Sequence, residues 1–309
     1  MKNLLFLLLL VTSISNSQNK NQITPFLPEI ISNFPNVRDL TISKTGNEAY
    51  FTVQSYMGDL STIVLITKEN NKWIQPEIVK FSGRFHDTEP FLSPNGLKLY
   101  FASNRPIISS ETKTKDFDIW YVERNSIETD WSDPINLGAP INTKGNEFYP
   151  AITNSGNIYY TSDLKTSKGK DDIFLSTFEN GNYTTPISLS NSINSEGYEF
   201  NAYVSPNESV LIFTAYNRED GFGSGDLYIS TKNENGEWSK AKNLGETINS
   251  NKMEYCPFVD FNNNTLYFTS KRNKVQTNFN TKQSLKQFLN EANKYQNGLS
   301  RLYKVPIKL

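Results

Sequence analysis

The stretch INTKGNEFYPAITNSGNIYYTSD, Ile141–Asp163, decides the fold because most of it recurs twice at nearly constant spacing. The two returns are INSEGYEFNAYVSPNESVLIFTA, from Ile193, and INSNKMEYCPFVDFNNNTLYFTS, from Ile248. In each copy an Ile-Asn pair is followed, five residues after the Asn, by a Glu, and then by an apolar run. Degenerate copies begin at His86 and Asn36. Self-similarity at a fixed period indicates one repeat architecture, so we expect a single domain.

Each period contains four short apolar runs separated by turn residues, a pattern that indicates antiparallel strands. In the clearest period the runs are TEPFLS, LKLYFAS, DIWYVER and a fourth around WSDPINL. The turns between the first and second runs recur 50 to 60 residues apart, at Gly46, Gly96, Gly156, Glu208 and Asn263. Four strands in ~50 residues is the size of one propeller blade. Runs such as IYYTS and LIFTA are apolar on both faces, as a sheet packed between two blades requires.

The fifth period is incomplete, and the start of the chain offers the missing piece. It ends with SRLYKVPI and lacks a fourth strand, whereas ITPFLPEIIS, residues 23–32, reads as an isolated extended segment. Docking this segment beside SRLYKVPI closes the ring and removes an exposed sheet edge. We therefore predict an all-β, five-bladed propeller of four-stranded antiparallel blades, closed by the N-terminal strand. A six-bladed ring is the alternative.

Two further positions recur in the blades. A large ring occupies one of them, at Trp73, Trp131, Tyr183 and Trp238. We predict that these rings are structural and cover the seams between neighbouring blades. An aspartate starts the third strand, at Asp118, Asp172 and Asp226. The segments around them lack the alternating oxygen ligands of an EF-hand loop, so a structural turn role is expected.

The first seventeen residues, MKNLLFLLLLVTSISNS, have the layout of a cleavable secretory signal. We expect cleavage near Ser17, which leaves residues 18–309 as one propeller domain. The apolar core of the signal is too short for a finished transmembrane helix, and no other run approaches ~20 apolar residues, so no membrane span is expected. The predicted location is the periplasm or the exterior. Cys256 is the only cysteine, which excludes an intrachain disulfide.

The charge balance excludes several classes of partner. Without Lys2 the chain keeps 30 of its 31 basic residues against 32 acidic ones. This balance argues against general binding of nucleic acid or of anionic membranes. His86 is the only histidine, so a histidine-rich metal site is excluded, and no cofactor is predicted.

The repeat units resemble the TolB-type, WD-repeat-like propeller repeat. That pattern places an acid three residues before a Pro, then Ser-Pro-x-Gly, an apolar strand and an Asp-Ile-Tyr or Asp-Ile-Trp; DTEPFLSPNGLKLYFASNR with DIWYV matches it almost completely. The resemblance covers Asn36–Leu309, and the first blade departs most, with Val37 at the acid position. The Asn-rich composition also resembles that of exported Bacteroidetes proteins. The resemblance implies an exported propeller used mainly for binding, often of proteins, with no shared catalytic residues.

The recurring acid is the candidate ligand-binding feature. The aligned acids are Asp87, Glu147, Glu199 and Glu254. Four carboxylates around one axis repel each other unless something compensates. In the functional interpretation, these acids lie at the mouth of the central channel of the propeller and bind a cation or the basic group of a ligand. In the alternative, each acid caps its own blade by accepting backbone N–H bonds.

All the long inserts join second to third strands and therefore share one face with the Asn-x4-Glu connectors. They span residues 104–117, 163–170, 217–225 and 271–299. Within the longest insert, residues 281–297 carry the helical stripe Leu285, Phe288, Leu289 and Ala292. We expect this stripe to be buried on the propeller face; a docking element for a partner is the alternative.

These observations favour binding over catalysis. The chain has no Gly-x-Ser-x-Gly motif, and Cys256, which aligns with Glu89 and Tyr149, has no basic partner in the sequence to activate it. No catalytic residue is therefore predicted, and the expected function is an exported module that binds an envelope or extracellular protein. The alternative is a glycan-binding or glycan-active propeller that uses the carboxylates of the mouth. Repetition of one acid argues against the latter, since acid and base need different surroundings.

Overall fold

The computed structural model describes residues 22–108 and 110–309, so the predicted signal peptide, residues 1–17, lies outside the described part of the chain. Strand β1 (Thr24–Pro25) and helix α1 (Pro28–Ile31) come first. Five larger sheets follow, the first of five strands and the others of four, and β1 belongs to the last of them. A second helix, α2 (Leu285–Ala292), precedes the final strand.

Each of these sheets is one blade. In blades 1 to 4 the strands run outward in chain order, and in blade 5 the outermost strand is β1. Blade 1 contains β2 (Asn36–Ile42), β3 (Glu48–Gln54), β4 (Ser61–Glu69), β5 (Lys72–Trp73) and β6 (Glu77–Ile78), where β5 and β6 both pair with β4. Blade 2 contains β7 (Asp87–Leu92), β8 (Lys98–Ser103), β9 (Asp118–Glu123) and β10 (Ile135–Asn136).

Blades 3 to 5 follow the same plan. Blade 3 contains β11 (Glu147–Ile152), β12 (Ile158–Ser162), β13 (Asp172–Ser176) and β16 (Ile187–Ser188), with a separate hairpin of β14 (Phe178–Glu179) and β15 (Asn182–Tyr183). Blade 4 contains β17 (Tyr198–Val204), β18 (Val210–Tyr216), β19 (Gly225–Thr231) and β20 (Lys242–Asn243). Blade 5 contains β21 (Glu254–Asp260), β22 (Thr265–Ser270), β23 (Arg301–Pro306) and β1.

The innermost strands form a closed ring. Each of β2, β7, β11 and β17 contacts the inner strand of the next blade, and β21 contacts β2. The prediction of an all-β, five-bladed propeller is therefore confirmed.

The N-terminal segment closes the fifth blade as predicted. Strand β1 pairs antiparallel with β23, and the Phe26 N–H donates to the Leu302 carbonyl at 2.9 Å. The segment is not extended throughout, however. Leu27 is left-handed (φ 46°), and Pro28 then opens α1. Proline favours the first turn of a helix, since its fixed φ suits that position and its missing N–H has no partner to lose there.

The Ile-Asn pair of the repeat fastens each connector to the blade it leaves. Asn142 accepts from the Ile119 N–H and donates to the Ile119 carbonyl, both at 2.9 Å. Asn194 and Asn249 bind the equivalent residues of blades 3 and 4 in the same way. One amide side chain thus bonds both backbone groups of a third-strand residue and ties the connector to it, which explains why the sequence repeats it.

Every inner strand contains a bulge at the same position. One residue in each is left-handed, with φ between 49° and 61°, and the register with the second strand shifts there; these residues are Asp39, Glu89, Tyr149, Asn201 and Cys256. A bulge adds a residue to one strand and re-aims its side chain. In this ring the five side chains turn toward the axis, as the contacts described below show.

Aromatic rings close the other end of the channel. The rings of Phe91 and Tyr203 lie 6.2 Å apart, and those of Tyr203 and Phe258 lie 5.5 Å apart. Phe91 belongs to blade 2 and Tyr203 to blade 4, so these side chains meet across the axis rather than within one blade. The channel is therefore open toward the face of the long inserts and blocked toward the face of the short turns.

Helix α2 lies inside the predicted insert, yet its apolar stripe is not buried. Leu285, Phe288 and Leu289 are 73%, 57% and 46% exposed, and the helix has no buried residue. The expectation of a buried stripe is therefore wrong. A capping box between Ser284 and Gln287 starts the helix locally, which needs no contact with the propeller.

Candidate functional site: the mouth of the central channel

Arg38 connects the left-handed residues of the inner strands. Its Nε donates to Asp39 Oδ1 and its Nη2 to Glu89 Oε1, both at 2.7 Å. The same Nη2 lies 3.5 Å from Cys256 Sγ, and the guanidinium sits 5.1 Å from the centre of the Tyr255 ring. Burial opposes the charge of Arg38, but Asp39, Cys256 and Glu89 raise its pKa well above its usual value. Arg38 is therefore a fixed cation at the centre of the channel.

Glu89 is the carboxylate that faces the opening. Its Oε2 accepts the Tyr149 backbone N–H at 2.7 Å, and its Oε1 also accepts from Asn201 Nδ2 at 3.3 Å. Asn201 belongs to blade 4 and Glu89 to blade 2, so this contact crosses the axis. Burial raises the pKa of Glu89 to about 7, although Arg38 acts in the opposite direction. Glu89 therefore gains or loses its proton close to neutral pH.

Cys256 is held as a protonated thiol. Its Sγ donates to Asp39 Oδ1 at 2.6 Å. Burial and the neighbouring Asp39 raise the pKa of Cys256 well above its usual value, and Arg38 opposes this only in part. The basic partner that the sequence did not reveal is thus present, but two carboxylates outweigh it. A nucleophilic role needs a thiolate, and this site disfavours one.

A cavity of about 500 Å³ opens above this cluster. Its walls include the rings of Phe148, Phe200 and Tyr255, and Tyr56 and Met57 form part of its rim, 70% and 85% exposed. Volumes of ~300–1,000 Å³ are typical of ligand sites, in which mostly apolar walls surround a few polar groups. The volume of the mouth lies in this range, and its lining combines these rings with a similar number of polar groups. Among the polar groups are those of Arg38, Glu89 and Asn201 at the floor.

The four predicted acids lie elsewhere. Each is fully buried, and none lines the cavity; they are Asp87, Glu147, Glu199 and Glu254. Glu199 accepts the Ser195 backbone N–H and hydroxyl, both at 2.8 Å, and Glu254 accepts the corresponding groups of Ser250, both at 2.7 Å. This arrangement is the capping role that the sequence left open as the alternative. Ligand binding by these acids stays a prediction.

Arginines complete three of these four positions. Arg105 pairs with Asp87 at 2.6 Å, Arg218 with Glu199 at 2.7 Å, and Arg272 with Glu254 at 3.2 Å. Glu147 differs. Within the described residues it is bound by Thr143, through the backbone N–H at 3.2 Å and the hydroxyl at 2.6 Å, and by no arginine. Burial raises the pKa of Glu147 to about 7.

The aspartates of the third strands serve their own loops. Asp172 accepts the backbone N–H groups of Lys168 and Gly169, and Asp226 accepts those of Phe222 and Gly223. Asp118 instead accepts from Lys115 Nζ and Asn136 Nδ2. These contacts agree with the turn role predicted for them. Among the described residues, no group of acidic, histidine or cysteine side chains is placed to hold a metal ion.

The cluster around Arg38 was missed by sequence reasoning. The alignment did place Cys256 with Glu89 and Tyr149, but nothing in one sequence shows that a bulge turns this position inward. Arg38 itself lies in the blade that departs most from the repeat. The signal that could have found the site is diversity at one aligned position within an otherwise repetitive strand.

Comparison with protein-family models and with curated sequences found no match. Among solved structures, the chain is similar to the catalytic domain of the Coprinopsis cinerea GH62 α-L-arabinofuranosidase (10% identity, 93% of this chain and 96% of that chain, TM-score 0.52). It is also similar to a GH43 endo-arabinanase from Bacillus licheniformis (13% identity, 87% and 93%, TM-score 0.50). A putative TolB from Agrobacterium tumefaciens aligns with 14% identity over 76% of this chain and 69% of that chain, at a TM-score of 0.47.

At these identities the likeness concerns the fold. The chain is a five-bladed β-propeller structurally like the GH43 and GH62 propellers, and no family is assigned to it. Within the described residues, neither helix has the length and apolar content that crossing a membrane requires.

Proposed function

We propose that the protein is a non-catalytic binding module of the cell envelope, which takes a segment of another protein into the mouth of its central channel. The observation that carries this proposal is the cavity of about 500 Å³ with aromatic walls and a charged floor. Rings from three blades and the flexible side chain of Met57 at the rim suit a peptide, because they offer apolar contact to ligands of different shapes. Export follows from the signal-like N-terminus and is part of the proposal.

The charges of the floor favour a basic group on the ligand. Arg38 carries one positive charge, whereas Asp39 and Glu89 together carry two negative charges when ionised. A buried excess charge is unfavourable unless a partner compensates it. A lysine, an arginine or a free amino group that reaches Glu89 supplies this partner, and the neighbouring rings of Phe148 and Phe200 favour a cation as well.

The glycan-active alternative has weaker support. Hydrolysis of a glycoside needs two carboxylates that flank the bond, one as acid and one as base or nucleophile. Asp39 and Glu89 both bind the same guanidinium, and Asp39 is only 1% exposed. The repeated acids lie within the blades, bonded to their own connectors. These carboxylates fit a fixed charge network better than a pair with divided roles.

A peptide-display screen tests the proposal directly. The mature protein is immobilised and a random dodecapeptide library is selected on it; we expect binders enriched in lysine or arginine. Glu89→Gln removes the charge but keeps the size, and we expect roughly tenfold weaker binding, which is about 1.4 kcal/mol. Phe200→Ala, at the wall, should weaken binding to a similar extent.

The matched control is Phe261→Ala, at a 41% exposed ring in the turn between β21 and β22, on the opposite face. Its binding should equal that of the wild type. Binders that are indifferent to both Glu89→Gln and Phe200→Ala would place the interaction elsewhere. Stabilisation by a glycan that disappears in Glu147→Gln or Glu199→Gln would favour the alternative.

A further inference from the structure

The seam between blades 2 and 3 is built differently from its neighbours. Trp131 packs against Tyr50 across the seam of blades 1 and 2, with ring centres 6.3 Å apart. Trp238 packs against Tyr159 across the seam of blades 3 and 4, also at 6.3 Å. In the seam of blades 2 and 3 the equivalent ring is the smaller Tyr183.

A cation covers the indole in each of the other cases. Arg124 lies 4.3 Å from the ring centre of Trp131, and Lys232 lies 5.1 Å from that of Trp238. Both residues follow the first aspartate of their third strand by six positions. In blade 3 this position holds Phe178, whose ring lies 5.0 Å from that of Tyr183. Blade 3 has therefore replaced a cation with an uncharged ring and an indole with the smaller ring of Tyr183.

A cavity of about 550 Å³ occupies this seam. One wall carries Tyr100 and Tyr121 of blade 2, and the other carries Phe178 and Tyr183 of the β14–β15 hairpin. Four side-chain amides also line it. That of Asn136 is bonded to Asp118, Gly138 and Asn142, which leaves those of Asn95, Asn154 and Asn182 for a ligand. The position of the hairpin depends on Gly156, because a Cβ there would lie 3.1 Å from Phe178 Cδ1.

The cavity is almost free of charge. Among its described lining residues, Lys98 is the one charged side chain, and its ammonium pairs with Glu123 at 3.1 Å and lies 4.5 Å from the Tyr121 ring centre. A cavity beside the turns of blades 1 and 2 differs from it in charge and in aromatic content. It is lined by Lys44, Glu48 and Arg124 among others and has no aromatic ring in its lining.

We propose that the seam between blades 2 and 3 binds a neutral sugar residue of a glycan. A sugar presents a flat face of C–H groups and a rim of hydroxyls. Aromatic rings pack against the C–H face, and amides, which both donate and accept hydrogen bonds, bind the hydroxyls. The volume lies within the ~300–1,000 Å³ of ordinary ligand sites. The site is separate from the channel mouth and needs none of its residues.

Binding of neutral trisaccharides tests this proposal. Maltotriose, cellotriose, xylotriose and mannotriose are titrated into the mature protein and followed by calorimetry and ligand-observed NMR. We expect at least one of them to bind. Phe178→Ala should weaken that binding about tenfold and Asn182→Ala about threefold, by loss of one stacking ring and one amide. Both residues are exposed enough to be changed without disturbing the core.

The control and a seam-closing variant complete the design. Phe261→Ala removes a ring of the same 41% exposure from blade 5 and should bind as the wild type does. The double variant Phe178→Lys with Tyr183→Trp copies blade 4 and should abolish binding by filling the seam. The proposal is overturned if none of the four sugars binds, or if binding survives both Phe178→Ala and Asn182→Ala unchanged. Phe200→Ala, at the mouth, should have no effect, so this test and the peptide screen fail independently.

Discussion

Two sets of residues on the inner strands, which lie two positions apart, differ in the contacts that their side chains make. The repeated acids, such as Glu199 and Glu254, bind the connector and second-strand loop next to their own strand. The residues of the bulges, such as Glu89 and Cys256, bind partners in other blades across the axis. The repeated position carries the scaffold, whereas the varied position carries the candidate site. In a repeat protein, identity between blades therefore points to structure, and difference points to function.

Glu199→Ala should produce the largest effect. It removes a fully buried carboxylate that pairs with Arg218 and accepts two bonds from Ser195, and it leaves Arg218 without its partner. We expect the free energy of unfolding to fall by about 3–5 kcal/mol. Denaturation in urea measures this. The exposed neighbour Glu196→Ala should change it by less than about 0.5 kcal/mol. If Glu199→Ala kept normal stability but no longer bound its ligand, the repeated acids would be ligand-binding residues rather than structural ones.

Glu147→Gln should stabilise the protein at high pH. Burial raises the pKa of Glu147 to about 7, so the folded state holds a proton that the unfolded state has lost, and stability falls as pH rises from about 4.5 to about 7. The neutral amide avoids this loss. We expect a gain of up to about 3 kcal/mol at pH 8 and almost none at pH 4. Unfolding in urea at both pH values measures it. Glu254→Gln breaks an ion pair with Arg272 and should lower the stability of the protein at pH 8. If the two variants behaved alike, the arginine would not distinguish Glu254 from Glu147.

Binding of a basic peptide at the mouth should strengthen as pH rises through neutrality. The ionised form of Glu89 attracts the cation, and burial places the pKa of Glu89 at about 7. Its titratable neighbours include Arg38, Asp39, Cys256 and Tyr149, and Tyr255, Asp171 and Lys271 line the same cavity. The raised pKa values of Arg38, Cys256 and Tyr255 keep their protons in place over this range. We expect about tenfold higher affinity at pH 8 than at pH 6, measured by calorimetry, and a flat profile in Glu89→Gln. A wild-type profile that is equally flat would remove Glu89 from the ligand contact.

Phe288→Ser should have the smallest effect on stability. The ring is 57% exposed, and α2 buries no side chain. We expect a change below about 0.5 kcal/mol in the free energy of unfolding, measured in urea. Deletion of residues 281–293, which spares the Tyr295 ring that packs against the core, should likewise leave a folded propeller. A large loss of stability in Phe288→Ser would show that the stripe packs against the propeller in solution.

Much of the fold could be predicted because the same sequence pattern recurs in successive blades. Turn spacing, the Ile-Asn connector and the spare segment at residues 23–32 gave five blades and the closure of the ring. Two local details were not predicted. Pro28 opens a helix inside that segment, and in the turn of blade 5 Asn264, rather than Asn263, is left-handed (φ 47°). Both depend on one backbone conformation rather than on a periodic pattern.

The candidate site could be predicted only in part. The aligned acids were placed correctly at the start of each inner strand, but burial and hydrogen bonding of their side chains are decided by the connector that folds back over them. The stripe of α2 shows the same limit. Its spacing predicts an apolar face but not whether another part of the chain covers it.

By itself, the sequence determined the blade, the number of blades and the structural seam residues, because each is a local pattern of apolar runs and turns that recurs along the chain. Only the tertiary structure decided that Arg38, Glu89, Asn201 and Cys256 meet at one axis. These residues are as far apart as 218 positions in the chain, from Arg38 to Cys256. They come into contact because the bulges turn side chains toward the axis and because the ring closes. Neither feature can be predicted from the residues of one blade alone.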